Sequence, residues 1–205
     1  MGLKGWTVTY GNADIVYTNQ RYIPSNKYDG CKNTDDVKEV NSKYGTDVVN
    51  GFWIHPLKDL EDGSGKDSEG GVSLFSGNHS INNFCADLSS LKYGGRMFYS
   101  INGSEVDSLI NFCSSMPNLI DGDAMFGCDT MLKSFKGGLK SLTNGFEMFY
   151  DCTALTVVNE NLTKLTNGAA MFRNCAALTE LNFDLQSMVD GTSMFYVNTT
   201  SHTSF

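Results

Sequence analysis

The sequence predicts a solenoid with one short parallel strand in each 23-residue coil, preceded by an irregular α+β cap. Three observations predict this fold class. A Met-Phe dipeptide recurs with its Met at positions 97, 125, 148, 171 and 194, which are 28, 23, 23 and 23 residues apart. Apolar and glycine residues keep fixed positions around each dipeptide. A unit of 23 residues cannot bury its apolar side alone, so it has to stack on its neighbours.

The frame around each dipeptide is described here by positions counted from its Met, which is position 0. An apolar residue stands at position −6 and a glycine at −3, as in Leu142 and Gly145. Apolar residues follow at +7, +10 and +14, as in Leu155 and Val158. The stretch around +10 is short and rich in β-formers, so it predicts the parallel strand, with the +10 residue pointing inward. The glycine predicts a corner with positive φ or a close approach of the backbone.

The frame extends to five units and part of a sixth. Counting back from Met97 places Leu74 at position 0 of a first unit, with Gly71 at −3. The 28-residue interval fits a 23-residue unit with five extra residues at 102–106. The predicted units start at 74, 97, 125, 148 and 171, with a partial unit at 194. The predicted domains are therefore a cap over 1–67 and a solenoid over 68–205.

Residues 1–67 lack the repeat frame, and we interpret them as a cap on the first coil. Trp6–Tyr10 and Ala13–Tyr17 flank a Gly-Asn pair, a pattern that predicts a β-hairpin. A short helix is predicted over 35–44, with Thr34 or Asp35 as its N-cap.

Two further segments complete the predicted cap. The apolar segment 48–54 is expected to pack on the first coil. The acidic, glycine-rich run 59–69 predicts a solvated linker between cap and solenoid. The alternative is a Ca²⁺ loop formed by Asp62, Ser64 and Asp67, because hard cations prefer oxygen ligands.

Composition and motif content argue against several functional classes. The chain has 15 Lys and Arg against 23 Asp and Glu, a net charge of −8, which disfavours binding to nucleic acid. No apolar run predicts membrane insertion and no signal peptide is visible. His55, His79 and His202 stand in unrelated contexts, without partners at triad or metal-ligand spacing. We therefore predict no enzyme, no metal and no cofactor, and an active site within 1–73 is the least favoured alternative.

The six cysteines follow the repeat. Cys152 and Cys175 share one position and Cys128 is one residue off it, whereas Cys85 and Cys113 each directly follow an inward-pointing phenylalanine. The preferred interpretation is that the cysteines are buried free thiols that pack as small apolar groups. The alternative is that Cys85 and Cys113 point outward on adjacent strands and lie close enough to bond.

Two segments resemble a known family. Residues 148–155 read Met-Phe-Tyr-Asp-Cys-Thr-Ala-Leu and residues 171–178 read Met-Phe-Arg-Asn-Cys-Ala-Ala-Leu. Both resemble the Met-Phe-x-x-Cys-x-x-Leu core of BspA-like leucine-rich repeats. The resemblance covers 74–195, and Cys128 and Asn198 depart from it. It implies a leucine-rich-repeat solenoid and a role like that of the cell-surface adhesins and lipoproteins of host-associated bacteria, or the surface proteins of some protists.

Strand alternation also predicts a binding surface, formed by the outward residues at positions +9 and +11. These residues are mostly small, polar and uncharged. The candidate binding residues are Asn83, Asn111, Ser134, Lys136, Val157, Asn159, Glu180 and Asn182.

The expected function is a non-enzymatic adhesion module, extracellular or at the cell surface. We expect it to bind a host or neighbouring-cell protein or glycan through this surface. One alternative is a sheet that is merely solvated on this side. Another is a structural component of a larger assembly, such as a virion or surface appendage, with a partner chain on the last coil.

Overall fold

The computed structural model of the chain describes residues 6–10, 13–17, 27–44, 48–49, 51–53, 55–65, 73–100, 109–181 and 183–196. The elements in chain order are β1 (Trp6–Tyr10), β2 (Ala13–Tyr17), α1 (Thr34–Tyr44), β3 (Val48–Val49), β4 (Phe52–Trp53), β5 (Asn83–Phe84), β6 (Asn111–Phe112), β7 (Ser134–Phe135), β8 (Val157–Val158) and β9 (Glu180–Leu181). The hairpin expected at the N-terminus is present, because β1 pairs antiparallel with β2 and Trp6 lies opposite Tyr17.

The seven strands β3 to β9 form one sheet in chain order. All neighbouring pairs from β4 to β9 are parallel, while β3 is antiparallel to β4. A second ladder of parallel bridges runs along the stack through Asn33, Asp62, Tyr93, Asp121, Asn144, Asn167 and Asp190. Two parallel ladders with the same period describe a solenoid-like stack of coils, which confirms the prediction of one short parallel strand per coil.

The interior of the stack is filled by two columns of aromatic rings. The column at position +1 consists of Phe75, Phe98, Phe126, Phe149, Phe172 and Phe195, with neighbouring centroids 5.2–5.7 Å apart. The column at position +10 consists of Trp53, Phe84, Phe112 and Phe135, with spacings of 5.4–6.2 Å. The two columns meet edge to face, as where Phe112 and Phe126 lie 4.9 Å apart at 72°. Such pairs stabilise by about 0.5–1.5 kcal/mol beyond their buried area.

The glycine at position −3 is explained by a neighbouring side chain rather than by its own backbone conformation. Neither Gly94 nor Gly122 has a positive φ, so the predicted positive-φ corner is wrong. A Cβ on Gly94 would lie 2.8 Å from Sδ of Met125, and one on Gly122 would lie 3.1 Å from Sδ of Met148. The Met of each coil therefore occupies the space over the glycine of the preceding coil, where a larger residue would clash.

Positive φ angles occur instead directly before each Met. They lie between 47° and 56° at Arg96, Ala124, Glu147, Ala170 and Ser193. A non-glycine residue in this conformation costs of order 1–3 kcal/mol and persists only where its surroundings enforce it. The first four of these N–H groups donate to the next coil, as from Arg96 to the carbonyl of Asp123 at 2.8 Å.

The coil geometry begins upstream of residue 68. Trp53 of β4 pairs with Phe84 of β5, and Leu57 and Leu60 are buried inside the stack. A Cβ on Gly63 would lie 2.6 Å from Sδ of Met97, the relation that Gly94 has to Met125. Gly63 therefore takes the −3 role in the first coil that the sequence assigned to Gly71, which lies outside the described residues.

The run 59–69 differs from the predicted solvated linker over its described part. Leu60 is fully buried, and Asp62 bridges to Tyr93 in the second ladder. Residues 59–65 are thus part of the first coil. The acidic residues around them mask this because their side chains face solvent while Leu60 faces the core.

The N-cap of α1 is Asn33, so the prediction of Thr34 or Asp35 is wrong. Asn33 Oδ1 accepts a hydrogen bond from the N–H of Asp36 at 3.0 Å, and Asp36 Oδ2 accepts one from the N–H of Asn33 at 3.2 Å. This reciprocal pair is a capping box. The Thr34 hydroxyl instead donates to the carbonyl of Ser64 at 2.9 Å, which fastens the helix to the first coil.

Candidate binding face

The predicted outward row forms along the sheet. The residues at position +9 that pair in register across β5 to β9 are Asn83, Asn111, Ser134, Val157 and Glu180. Lys136 and Asn159, at position +11, are exposed. Asn182 lies outside the described residues. We call the side of the sheet that carries these residues the strand face.

Two side chains at the N-terminal end of the strand face bind each other. Asn111 Nδ2 donates to Asn83 Oδ1 at 2.8 Å across the β5–β6 pair. Toward the other end, the Thr156 hydroxyl donates to the carbonyl of Lys133 and the Thr179 hydroxyl donates to that of Thr156. Hydrogen bonds of this kind restrict the rotamers and hold the face in a defined conformation.

An open depression lies across β7 and β8, in the middle of the strand face. Its polar lining is Ser115, Lys133, Ser134, Lys136, Thr156, Asn159 and Glu160. Glu160 is directed at the backbone, because its two carboxylate oxygens accept the N–H groups of Gly137 and Leu139 at 2.8 and 3.1 Å. Among the lining residues, sequence reasoning missed Ser115, Lys133, Thr156 and Glu160.

The signal for Glu160 was the Gly-Gly pair of the preceding coil. Gly137 occupies the same position in its coil as Glu160 does in the next, and a Cβ there would clash with the ring of Phe135. The N–H groups of Gly137 and Leu139 need acceptors, as all backbone N–H groups do. Glu160, at the equivalent position one coil later, supplies them.

The cysteines divide into two groups. Cys85 and Cys113 form a disulfide across the β5–β6 pair with Cα atoms 4.7 Å apart, so the alternative prediction for this pair is confirmed. The preferred interpretation as free thiols holds for the other four. Of these, Cys31, Cys152 and Cys175 are buried and Cys128 is half-buried.

The two cysteines at position +4 also hold neighbouring coils together. Cys152 Sγ donates to the carbonyl of Phe126 and Cys175 Sγ to that of Phe149, both at 3.0 Å. Burial raises the pKa of Cys175 to about 12 and raises the pKa of Cys152 well above its usual value. Both remain protonated donors at neutral pH.

The opposite side of the stack uses its polar groups internally. Asn144 Nδ2 donates to Asp121 Oδ1 at 2.9 Å, and Asn167 Nδ2 donates to Asn144 Oδ1 at 3.0 Å. Each of these side-chain oxygens also accepts the N–H two residues further along its own coil. This ladder is structural, because little hydrogen-bonding capacity is left over for a ligand.

The residues considered for catalysis or metal binding do not form a common site in the described part of the chain. His55 is buried beside the ring of Tyr28, and His79 is exposed. Asp62 Oδ1 accepts both the N–H and the hydroxyl of Ser64, and Asp67 lies outside the described residues. Among the residues that the structure describes, no three His, Cys, Asp or Glu side chains converge as metal ligands.

Burial and the nearby carboxylate of Asp121 raise the pKa of Asp123 on the opposite side.

Comparisons of the chain with protein-family models, curated proteins and solved structures find no match. In the described part of the chain, no helix combines the length and the hydropathy needed to cross a bilayer.

Proposed function

We propose that this chain is a BspA-like leucine-rich-repeat module that binds a protein or glycan at a cell surface without catalysing a reaction. The observation that carries the proposal is the in-register row of outward side chains on the strand face. A rigid, repeated row presents regularly spaced groups to an extended partner, as solenoid proteins commonly do.

The contrast between the two sides of the stack supports the strand face as the binding surface. On the opposite side, Asp121, Asn144 and Asn167 are engaged with each other and with backbone N–H groups. On the strand face, Lys136 and Asn159 are exposed, and neither side chain forms a hydrogen bond with a residue that the structure describes. Free hydrogen-bonding capacity next to an open depression is what a polar partner requires.

The test is a binding screen of the purified chain against immobilised extracellular-matrix proteins and a glycan panel. A face variant, S134Y/V157Y, fills the depression with uncharged side chains that suit a β-strand. A matched variant, V189Y/T192Y, places the same bulk on exposed residues of the opposite side. We expect binding that only the face variant loses. No binding by the wild type, or equal loss in both variants, would contradict the proposal.

A structural role in an assembly is the second candidate, and the last coil favours it. Phe195 is 37% exposed although Phe172, its equivalent one coil earlier, is 1% exposed, and Val189 is 86% exposed. Sedimentation velocity over a hundredfold concentration range tests this role. Self-association that a Phe195→Ser/Val189→Ser variant abolishes would favour assembly over adhesion, and a monomer at all concentrations would exclude self-assembly.

A further inference from the structure

The coil that carries β7 concentrates positive charge in an otherwise acidic protein. Lys133, Lys136 and Lys140 are all exposed in this coil, within a chain of net charge −8. None of the three forms an ion pair with any residue that the structure describes. Unpaired cations at one place on an acidic surface attract an anionic partner to that place.

The carboxylate inside the depression does not neutralise these lysines by direct contact. Glu160 uses one oxygen to accept the N–H of Gly137 and the other to accept that of Leu139. Both of its oxygens are therefore occupied by the backbone that follows β7, and its single negative charge faces the two positive charges of Lys133 and Lys136 in the same lining. The remaining polar lining consists of Lys133 and Lys136 with the hydroxyl residues Ser115, Ser134 and Thr156 and the amide of Asn159.

The composition of the depression favours a carbohydrate over a protein. Protein interfaces are anchored by aromatic and apolar side chains at their centre and are depleted in Lys and Ser. Here Val157 is the one exposed large apolar residue among the lining residues, at 37% exposure, while Phe135 is buried. Lysines interspersed with Ser134, Thr156 and Asn159 match the alternating acidic groups and hydroxyls of an anionic polysaccharide.

Resting on the binding function proposed above, we infer that the strand face binds an acidic glycan, with Lys133 and Lys136 contacting its sulfate or carboxylate groups. Ser134 and Asn159 lie beside these lysines and supply hydrogen bonds to sugar hydroxyls. Because such contacts are exposed, the affinity falls as ionic strength rises.

The experiment measures binding by titration calorimetry to three hexasaccharides at 50, 150 and 500 mM NaCl. A heparin-derived oligosaccharide carries sulfates and carboxylates, an oligogalacturonate carries carboxylates only, and maltohexaose is neutral. The variant K133Q/K136Q is compared with K38Q/K43Q, which removes the same charge from exposed positions on α1. Circular dichroism confirms that both variants fold.

We expect one or both acidic hexasaccharides to bind and maltohexaose not to bind. The K133Q/K136Q variant should bind at least about fivefold more weakly, and K38Q/K43Q should match the wild type. Equal weakening in both variants, or no binding of either acidic hexasaccharide, would overturn the inference. If a neutral glycan or a protein binds and S134Y/V157Y abolishes it while K133Q/K136Q does not, the acidic-glycan inference fails and the binding function stands.

Discussion

Trp53, Phe84 and Phe112 are equivalent residues of successive coils that are 31 and 28 residues apart, whereas Phe112, Phe135 and Val158 follow at intervals of 23. The two longer coils are held by a disulfide between β5 and β6 and by rings in both interior columns. The regular coils continue the aromatic column at position +1 and add side-chain ladders. In these ladders Asn167 binds Asn144, Thr166 binds the carbonyl of Thr143, and Cys175 binds the carbonyl of Phe149.

This difference follows from coil length. When successive coils have equal length, the same residue type recurs at the equivalent position of each coil, so one hydrogen-bond geometry can repeat from coil to coil. Coils of unequal length share their strand and core positions but not their connecting segments. Packing and a covalent bond then supply the stabilisation that the ladders give elsewhere.

The largest expected effect comes from Phe112 in the long-coil region. Its ring contacts those of Phe84, Phe98, Phe126 and Phe135 at 4.9–5.7 Å. Phe112→Ala should lower the free energy of unfolding by about 3–5 kcal/mol, measured by denaturant titration.

The control for Phe112 is Phe195→Ala at the far end of the regular coils. Phe195 is already partly exposed, so its removal leaves little cavity and should cost clearly less. Equal losses for the two variants would mean that the aromatic columns stabilise both regions alike.

The disulfide should give the next largest effect. Cys85→Ala/Cys113→Ala opens a covalent loop with a sequence separation of 28 and should cost roughly 3 kcal/mol. The control, Cys152→Ala/Cys175→Ala, removes two thiol hydrogen bonds in the regular coils and should cost about 1 kcal/mol per thiol. A dithiol reductant should lower the melting temperature of the control variant but not that of the disulfide variant.

Glycine substitutions compare an inner coil with the last one. Gly94→Ala places a methyl group 2.8 Å from Sδ of Met125 and should destabilise by about 1–2 kcal/mol. The matched Gly191→Ala meets nothing closer than 3.8 Å, at Met188, and should be neutral. Thermal melts measure both, and a neutral Gly94→Ala would show that the Met side chain moves aside at no cost.

The smallest effect is a pH dependence that originates in the regular coils. The folded pKa of Cys175 is raised to about 12, so its thiol contributes stability that is present below pH 9 and is lost as the pH rises toward 12. Denaturant titrations at pH 8 and pH 10 should show this loss in the wild type. The loss should be smaller in Cys152→Ala/Cys175→Ala. If this variant loses as much free energy of unfolding between pH 8 and pH 10 as the wild type, the titrating groups lie elsewhere.

The regular coils could be predicted from sequence because one motif recurs at one interval. The strands β5 to β9 lie at the predicted +10 positions and point the expected residues outward. The upstream part of the first coil was missed because extra residues separate Gly63 from Leu74, and without a Met-Phe dipeptide upstream of them no interval reveals this insertion. The positive φ at Ala124 and Ala170 was also unpredictable, because turns enforced by neighbouring coils, not a local glycine or asparagine, impose it.

The binding face was predictable in outline and not in detail. The outward direction of Ser134 and Lys136 could be predicted, because the two neighbours of an inward-pointing strand residue both point outward. This alternation predicted neither Lys133, which precedes β7, nor Glu160, which follows β8, because their places depend on how the chain enters and leaves the strands. Turns are set by contacts between coils that lie 23 residues apart, which local sequence does not encode.

The direction of the hydrogen bonds between coils determines how the stack responds to mechanical force. These bonds run along the axis of the stack, so a pull on its two ends loads the coil interfaces in series and opens the weakest one first. The disulfide between Cys85 and Cys113 keeps the β5–β6 interface closed under such a load. The interface that opens first is therefore one without a covalent bond, and the coils then separate one interface at a time.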